Sequence, residues 1–219
     1  MSETSPENLQ NSFYIDALKE IAGIGMGNAT TSLSLLVDKR VQLNLANAYA
    51  LNTYQMVNSI PESVTMVGIV SELEGDIQGC SVIFIELNNA IVLSELLLND
   101  VQDVDVELSE SSLTEAGNIL TGSYFNSFSQ FLGLSVRHSS PFTVSGTIGE
   151  IFEALSNQFS HNSEISLIDG KTMILETMFM VNSTGYQKGL NTLYCDMFIF
   201  LDPESVSAIT GSVDNMLKA

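Results

Sequence analysis

Basic side chains are scarce in this sequence, which holds seven Lys and Arg residues in a chain of 219. Asp and Glu number 26, about 12% of the chain, which is an ordinary share for a globular protein. The formal net charge of −19 therefore comes from the shortage of bases. Because no basic patch can form, binding to nucleic acid or to an anionic membrane surface is disfavoured, whereas a basic partner would be attracted.

Cysteine and histidine are also rare, with two of each. Cys80 and Cys195 lie in strand-like apolar segments, so we expect two buried thiols at equivalent positions rather than a disulfide or a metal site. His138 and His161 have no ligand-like spacing to cysteines or carboxylates, so neither a zinc site nor a Ser-His-Asp triad is expected. Free thiols favour a cytoplasmic protein.

Long apolar runs are absent, so we expect no membrane span. The first ten residues (MSETSPENLQ) are polar and lack the basic and apolar regions of a signal peptide. We expect 1–10 to be a flexible tail and 11–219 to form a single domain. Hydrophobic residues make up 45% of the chain, which is ample for a buried core.

Hydrophobic periodicity predicts the order of helices and strands. Gly23, Gly25 and Gly27 predict a kink or break in the first helix and close packing of that helix against a neighbour. The predicted first half comprises a helix over 13–37, a half-exposed strand over 40–56, a hairpin of 64–73 and 77–87, a helix over 88–98 and an acidic linker over 99–107. The predicted second half comprises a helix over 108–134, a strand over 136–147, a helix or irregular insertion over 148–159, a polar loop over 160–163, strands over 164–181 and 190–201, and a terminal helix that Asp202 opens.

The two halves repeat one another. At an offset of 95 residues, Asp16, Leu18, Glu20, Ile24, Gly27 and Ser32 fall on Ser111, Leu113, Glu115, Ile119, Gly122 and Ser127. The later strands match at an offset of 115, so the second copy carries an insertion of 20 residues. We predict an α+β fold in which two pseudo-symmetric helix–three-strand–helix repeats, about 11–100 and 108–219, share one antiparallel sheet with long helices packed on it.

One helical face in the second repeat could carry chemistry. Ser111, Glu115 and Asn118 stand at i, i+4 and i+7, and Pro141 follows after 22 intervening residues. A carboxamide both donates and accepts hydrogen bonds, so it can hold a water in line for attack. Such a group suits an acyl phosphate whose metal is already bound. Alternatively, Glu115 completes a capping box with Ser112, and Asn118 is a surface amide.

The spacing Ser111-x3-Glu115-x2-Asn118, followed at a distance by Pro141, resembles the signature of the CheC/CheX/FliY family of chemotaxis phosphatases. The segment 16–29 (DALKEIAGIGMGNA) is similar to the first copy of that signature. Two copies in a chain of this length resemble the CheC-like branch of the family.

The resemblance implies that the chain dephosphorylates the phosphorylated response regulator CheY in the cytoplasm. It assigns regulator docking to Glu115 and orientation of the attacking water to Asn118, with Ser111 and Pro141 as supporting motif positions. It also implies that Mg²⁺ is supplied by CheY and that this chain needs no cofactor of its own. The receptor-modifying deamidase CheD is a further partner in the family.

The first copy departs from the family pattern, with Gly23 in place of Asn and Ala46 in place of Pro. Glycine has no side chain to orient a water, so we expect the first site (Asp16, Glu20, Gly23) to be degenerate and to support docking at most. A non-catalytic adaptor that binds phospho-CheY or CheD is therefore the second hypothesis. A flagellar-switch component is the third.

Overall fold

The computed structural model describes residues 12–51, 61, 63–98, 105–159, 172–182 and 192–218. The tail predicted over 1–10 and the loop predicted over 160–163 lie outside these residues, so the division into a tail and one domain stays a prediction. The elements are α1 (Ser12–Val37), β1 (Val41–Leu51), β2 (Met66–Gly75), β3 (Gly79–Glu86), α2 (Leu87–Leu97), α3 (Val106–Leu132), β4 (Val136–His138), β5 (Phe142–Gly146), α4 (Ile148–Phe159), β6 (Thr172–Asn182), β7 (Thr192–Leu201) and α5 (Pro203–Lys218).

The seven strands form one antiparallel sheet in the order β1-β6-β7-β3-β2-β4, and β5 pairs with β2 beside β4. If β4 and β5 together are the counterpart of β1, corresponding strands follow in the same order whether the sheet is read from β1 or from β4. In the central pair, Ile83 lies opposite Met197 and Val82 opposite Phe198. The predicted offset of 115 residues relates Val82 to Met197, which lie in the cores on opposite faces of the sheet, so that offset is wrong for the later strands. The predicted α+β fold of two repeats sharing one sheet is confirmed.

Both faces of the sheet are covered, because successive side chains of a strand point to opposite faces. On one face, Ile69, Ile83 and Met197 belong to a core with buried residues of α1, α2, α3 and α5. On the other face, Phe84 and Phe200 pack with the apolar side of α4. The segment predicted as a helix or an irregular insertion is therefore a helix that covers the second face. Within the described residues, no helix is long and apolar enough to cross a membrane.

Helix α1 is continuous through its three glycines, so of the predicted kink or break the break is wrong. Its close packing against a neighbour is confirmed at Gly25, where a β-carbon would lie 2.9 Å from Cδ2 and 3.1 Å from the backbone oxygen of Tyr124 in α3. A β-carbon at Gly23 or Gly27 would meet no atom within 4 Å. One glycine thus brings the two long helices together, and the other two are not needed for packing.

Helix α3 begins at Val106, inside the predicted linker, and its N-cap is Asp105. The Asp105 carboxylate accepts a hydrogen bond of 2.8 Å from the backbone N–H of Leu108. The hydroxyl of Ser112 donates instead to the carbonyl oxygen of Ser109. The capping-box alternative is therefore wrong, because Ser112 and Glu115 lie inside the helix and not at its start.

The thiols of Cys80 and Cys195 are free and buried, as predicted. Their predicted equivalence is wrong, because Cys80 belongs to the core on one face of the sheet and Cys195 to the core on the other. Burial raises the pKa of each thiol well above its usual range, and the neighbouring charges of Glu72 and Asp196 add smaller upward contributions to the pKa values of Cys80 and Cys195 respectively. These thiols are part of the core and carry no reactive thiolate at neutral pH.

Candidate functional site

The predicted site residues of the second repeat lie on one face of α3. Ser111 and Glu115 are exposed, and Asn118 is half-buried. Neither the Glu115 carboxylate nor the Asn118 carboxamide forms a hydrogen bond with another residue of the described part of the chain. Both groups are therefore available to an incoming molecule. The opposite side of α3 is buried through Leu113, Ala116, Gly117, Leu120, Tyr124 and Phe128.

Two glycines set the distance between α3 and the edge of the sheet. A β-carbon at Gly117 would lie 2.5 Å from Cγ2 of Ile69 in β2, so no larger residue fits there without a shift. A β-carbon at Gly122 would lie 3.2 Å from Nε2 of His138 in β4. Asn118 lies between these two contacts, so its backbone is held close to the sheet edge.

Pro141 lies in the interruption between β4 and β5. In β2, Leu73 pairs with His138 of β4, and Val70 pairs with Phe142 of β5. Two residues of β2 consequently face three residues, 139–141, which is the residue count of a β-bulge. Pro141 is half-buried there, and it has no N–H to donate to a neighbouring strand.

Helix α3 contacts the sheet on both sides of this bulge. Gly117 lies against Ile69, whose strand partner in β5 is Thr143, and Gly122 lies against His138 at the end of β4. The segment that contains Pro141 joins these two strands. The structure thus brings the turn of α3 that carries Asn118 and the bulge that carries Pro141 to one stretch of the sheet edge, although the two residues are distant in sequence.

The first repeat presents a similar face with one side chain missing. Asp16 and Glu20 are exposed on α1, and the space where a side chain at Gly23 would begin is open. The register of β1 against β6 shifts between Leu43 and Leu45. That shift falls at the position equivalent to Ser139 in the second repeat. Both repeats therefore keep the helix and the irregular strand, and only the second has the amide.

The remaining polar groups of the site are few. Nδ1 of His138 lies 3.1 Å from the carbonyl oxygen of Ser139, which can only accept, so this nitrogen carries the proton in that contact. His161 lies outside the described residues. In the part of the chain that the structure describes, no three His, Cys, Asp or Glu side chains are grouped to hold a metal ion. The site can bind a cation through Glu115 and orient a small polar molecule through Asn118.

The model of the CheC-like family matches residues 108–145, a stretch that contains all four motif positions. The CheY-P phosphatase CheC of Bacillus subtilis (strain 168) is 27% identical over 133 residues, which cover 58% of this chain and 64% of that protein. The segment 108–145 of the chain is CheC-like. The flagellar motor switch phosphatase FliY of the same strain is 26% identical over 130 residues, 58% of this CheC-like chain and 34% of FliY. The matches thus span less than two thirds of either relative.

Solved structures share the fold of this CheC-like chain. Thermotoga maritima FliY superposes with a TM-score of 0.66 at 18% identity, over 98% of this chain and 99% of that one. CheX in the CheX–CheY–BeF3–Mg²⁺ complex from Borrelia burgdorferi gives 0.52 at 15% identity, over 82% and 96%. The FliM middle domain from Vibrio alginolyticus gives 0.57 at 13% identity, over 89% and 98%. Since FliY, CheX and FliM share one fold, function has to be argued from the site.

Sequence reasoning missed two residues that shape this site, Gly117 and Ser139. Glycine in the interior of a long helix is costly, so Gly117 beside Asn118 signals a close backbone approach. Ser139 precedes Pro141 by two residues in a strand-like segment, where a hydroxyl can replace a missing backbone partner. Both signals are present in the sequence, although neither identifies the contact partner.

Proposed function

We propose that this CheC-like chain hydrolyses the phosphoryl-aspartate of a CheY-type response regulator. The observation that carries the proposal is the half-buried carboxamide of Asn118, which has no hydrogen-bond partner among the described residues and lies at the junction of α3 with the sheet edge. Similarity to a CheY-P phosphatase supports the same reaction. The catalytic pair in this proposal is Glu115 and Asn118.

Asn118 enters the active site of the regulator and orients a water molecule in line with the phosphorus atom. The water oxygen forms a bond to phosphorus, the bond from phosphorus to the aspartate oxygen breaks, and the water proton passes to the released phosphate. An amide does not titrate, so its contribution is alignment and hydrogen bonding rather than proton abstraction. Mg²⁺ belongs to the substrate, where it neutralises charge on the phosphoryl oxygens.

Glu115 docks the chain on the regulator through an ion pair with a lysine. Its exposure on the same face as Asn118 allows both contacts in one approach. The net charge of −19 attracts a basic surface and raises the encounter rate at low salt. Ser111 and Pro141 support this face, Ser111 two turns before Asn118 and Pro141 from the bulge at the sheet edge.

The first repeat supports docking at most, because Gly23 offers no amide to orient a water. This degeneracy favours a second candidate function, a non-catalytic adaptor that binds phospho-CheY or CheD. The two candidates differ in turnover, since an adaptor protects the phosphoryl group or leaves its lifetime unchanged. We further propose that 11–219 forms a single domain and that the protein acts in the cytoplasm.

The test follows loss of phosphate from the CheY-type regulators of the source organism, phosphorylated by a small acyl phosphate in the presence of Mg²⁺. The wild type should accelerate this loss, and Asn118→Ala should reduce the acceleration by about 100-fold, the scale of a lost alignment. Asn126→Ala is the matched control, because it removes an exposed amide two turns further along α3. A wild type without acceleration would refute the phosphatase, and a fully active Asn118→Ala would refute the site assignment.

A further inference from the structure

Ser139 completes the hydrogen bonding of β2 at the point where the neighbouring strand is interrupted. Its backbone N–H donates to the carbonyl oxygen of Glu72 at 2.9 Å. The N–H of Glu72 in turn donates to the hydroxyl of Ser139, also at 2.9 Å, where a regular strand would supply a carbonyl oxygen. The side chain of Ser139 thus takes the place of a backbone acceptor within the bulge.

The same residue also connects the bulge to α3. Its carbonyl oxygen accepts from Nδ1 of His138, and Nε2 of His138 lies under Gly122. The Ser139 hydroxyl lies 3.3 Å from the carbonyl oxygen of Ser140 and donates toward it. The N–H, the carbonyl and the hydroxyl of Ser139 are therefore all engaged, two residues before Pro141.

We propose that Ser139 is a positioning residue for the reaction at Asn118. Its hydroxyl fixes the three-residue bulge, and the bulge holds Pro141 beside the turn of α3 that enters the regulator. The proposal rests on the proposed function, because it assigns a part in that reaction to a residue outside the motif.

The arrangement explains why a hydroxyl is needed at this position. A bulge places one extra residue in a strand and bends it, and without a second anchor the strand can change its register. Pro141 cannot provide that anchor, because it has no N–H. In the first repeat, β1 is a continuous strand with a register shift at the equivalent position, where the sequence has Asn44 and then Ala46. The hydroxyl and the proline thus occur together, in the repeat that has the amide.

The experiment compares Ser139→Ala, Ser139→Thr and Ser145→Ala in the dephosphorylation assay with a CheY-type regulator and Mg²⁺. Ser145 is an exposed residue of β5 and serves as the control. Ser139→Ala should lower kcat about 10-fold and leave KM within about twofold, since docking through Glu115 is retained. Ser139→Thr keeps a hydroxyl and should restore kcat to within about threefold of the wild type. Hydrogen exchange of the Glu72 amide should accelerate in Ser139→Ala and return toward the wild-type rate in Ser139→Thr.

Each outcome decides the proposal. A folded Ser139→Ala with wild-type kcat overturns it, as does a Ser139→Thr that is as slow as Ser139→Ala. A loss of kcat equal to the loss of folded protein, measured by circular dichroism at the assay temperature, also overturns it, because the role is then only structural. If the wild type does not accelerate dephosphorylation, the proposed function fails, and a fully active Asn118→Ala refutes the site assignment; either result overturns this inference as well. A normal response to Asn118→Ala with an inert Ser139→Ala refutes this inference alone.

Discussion

The hydroxyls of Ser32 and Ser123 lie 2.8 Å apart where α1 meets α3. Beside them, the carboxamide of Asn28 donates to the hydroxyl of Ser127 at 2.7 Å. An offset of 95 residues carries Asn28 to Ser123 and Ser32 to Ser127, so each of the two hydrogen bonds is the symmetry mate of the other. The helices thus meet as subunits meet in a twofold dimer, although both belong to one chain.

This pairing fixes how the two motif faces are presented. Each face is on a long helix that the pseudo-twofold axis relates to the other, so Gly23 is placed on α1 as Asn118 is on α3. A β-carbon at Gly23 would meet no atom within 4 Å. The first face therefore lacks a side chain and is not obstructed by a neighbouring described residue.

We accordingly predict that Gly23→Asn partly restores hydrolysis to an inactive Asn118→Ala variant. The new amide fits the open space, and α1 presents it as α3 presents Asn118. Ala46 stands where the second repeat has Pro141, so recovery should reach only about a tenth of the wild-type rate, a residual misalignment of about 1.4 kcal/mol. The measurement is the rate of phosphate loss from the regulator with Mg²⁺ present.

Gly27→Asn is the matched control for this rescue. Gly27 also lies in α1 with open space around a β-carbon, but it falls on Gly122 and not on Asn118. It should not restore activity. A double variant Gly23→Asn/Asn118→Ala that folds and stays inactive would mean that the first face has lost more than its amide.

A second prediction concerns the close approach of α3 to β2. Gly117→Ala should lower the free energy of unfolding by about 1–3 kcal/mol, because its β-carbon would lie 2.5 Å from Cγ2 of Ile69. Ile69 is buried and stiff about χ1, so it cannot move aside cheaply. Gly23→Ala, in open space, should raise the same free energy by about 0.5–1 kcal/mol. Urea unfolding of both variants checks the contrast, and a stabilising Gly117→Ala would contradict it.

The sequence predicted the architecture well, because that architecture depends on periodicity and repetition. The apolar runs of β2 and β3 and the long helical stripes of α1 and α3 are visible in single segments. The internal offset of 95 residues then related the two long helices, α1 and α3. The helix break at Gly23, Gly25 and Gly27 was wrong, since tertiary packing at Gly25 outweighs the weak helix propensity of glycine.

The site was predicted only as a set of residues on one face. Sequence spacing placed Ser111, Glu115 and Asn118 together, since a single helix carries all three. It could not show that the bulge of Pro141 lies where Gly117 and Gly122 bring α3 to the sheet edge. That relation depends on which strand pairs beside β2, a long-range contact that no local pattern contains.

The third prediction concerns the hydroxyl of Tyr124, which is buried and has no hydrogen-bond partner among the described residues. Its ring packs at centroid distances of 5.0 Å from Phe125 and 5.7 Å from Phe128. Tyr124→Phe removes a desolvated hydroxyl and keeps the ring contacts, so the thermal midpoint should be unchanged or rise. Tyr124→Ala should cost about 3–5 kcal/mol through the cavity that it leaves. A strongly destabilising Tyr124→Phe, measured by thermal unfolding, would show that the hydroxyl has a partner.

The fourth prediction is that the thiols of Cys80 and Cys195 do not react in the folded protein. Both side chains are fully buried, and burial raises their pKa values, so almost no thiolate exists at about pH 8. A disulfide reagent followed by absorbance should label neither cysteine in buffer and both after unfolding in guanidinium chloride. Rapid labelling of the native protein would place one of the thiols near solvent.

The last prediction is a pH dependence of stability at the start of α4. The Glu150 carboxylate accepts hydrogen bonds from the backbone N–H of Thr147 at 2.8 Å and from its hydroxyl at 3.0 Å. The Thr147 hydroxyl accepts in return from the N–H of Glu150, and the pair forms a capping box. The hydrogen bonds from Thr147, backbone first, hold the pKa of Glu150 below its ordinary value of 4.5.

A carboxyl group with a lowered folded-state pKa stabilises the fold above its unfolded pKa, and this stabilisation disappears as the pH falls through the folded value. The thermal midpoint of the wild type should therefore exceed that of Glu150→Gln at about pH 7, and the difference should shrink toward zero by about pH 3. The other carboxylates titrate in both proteins, so their effect cancels in the difference between the two thermal midpoints. A difference that stays constant across this range would mean that the charge of Glu150 does not contribute to the cap.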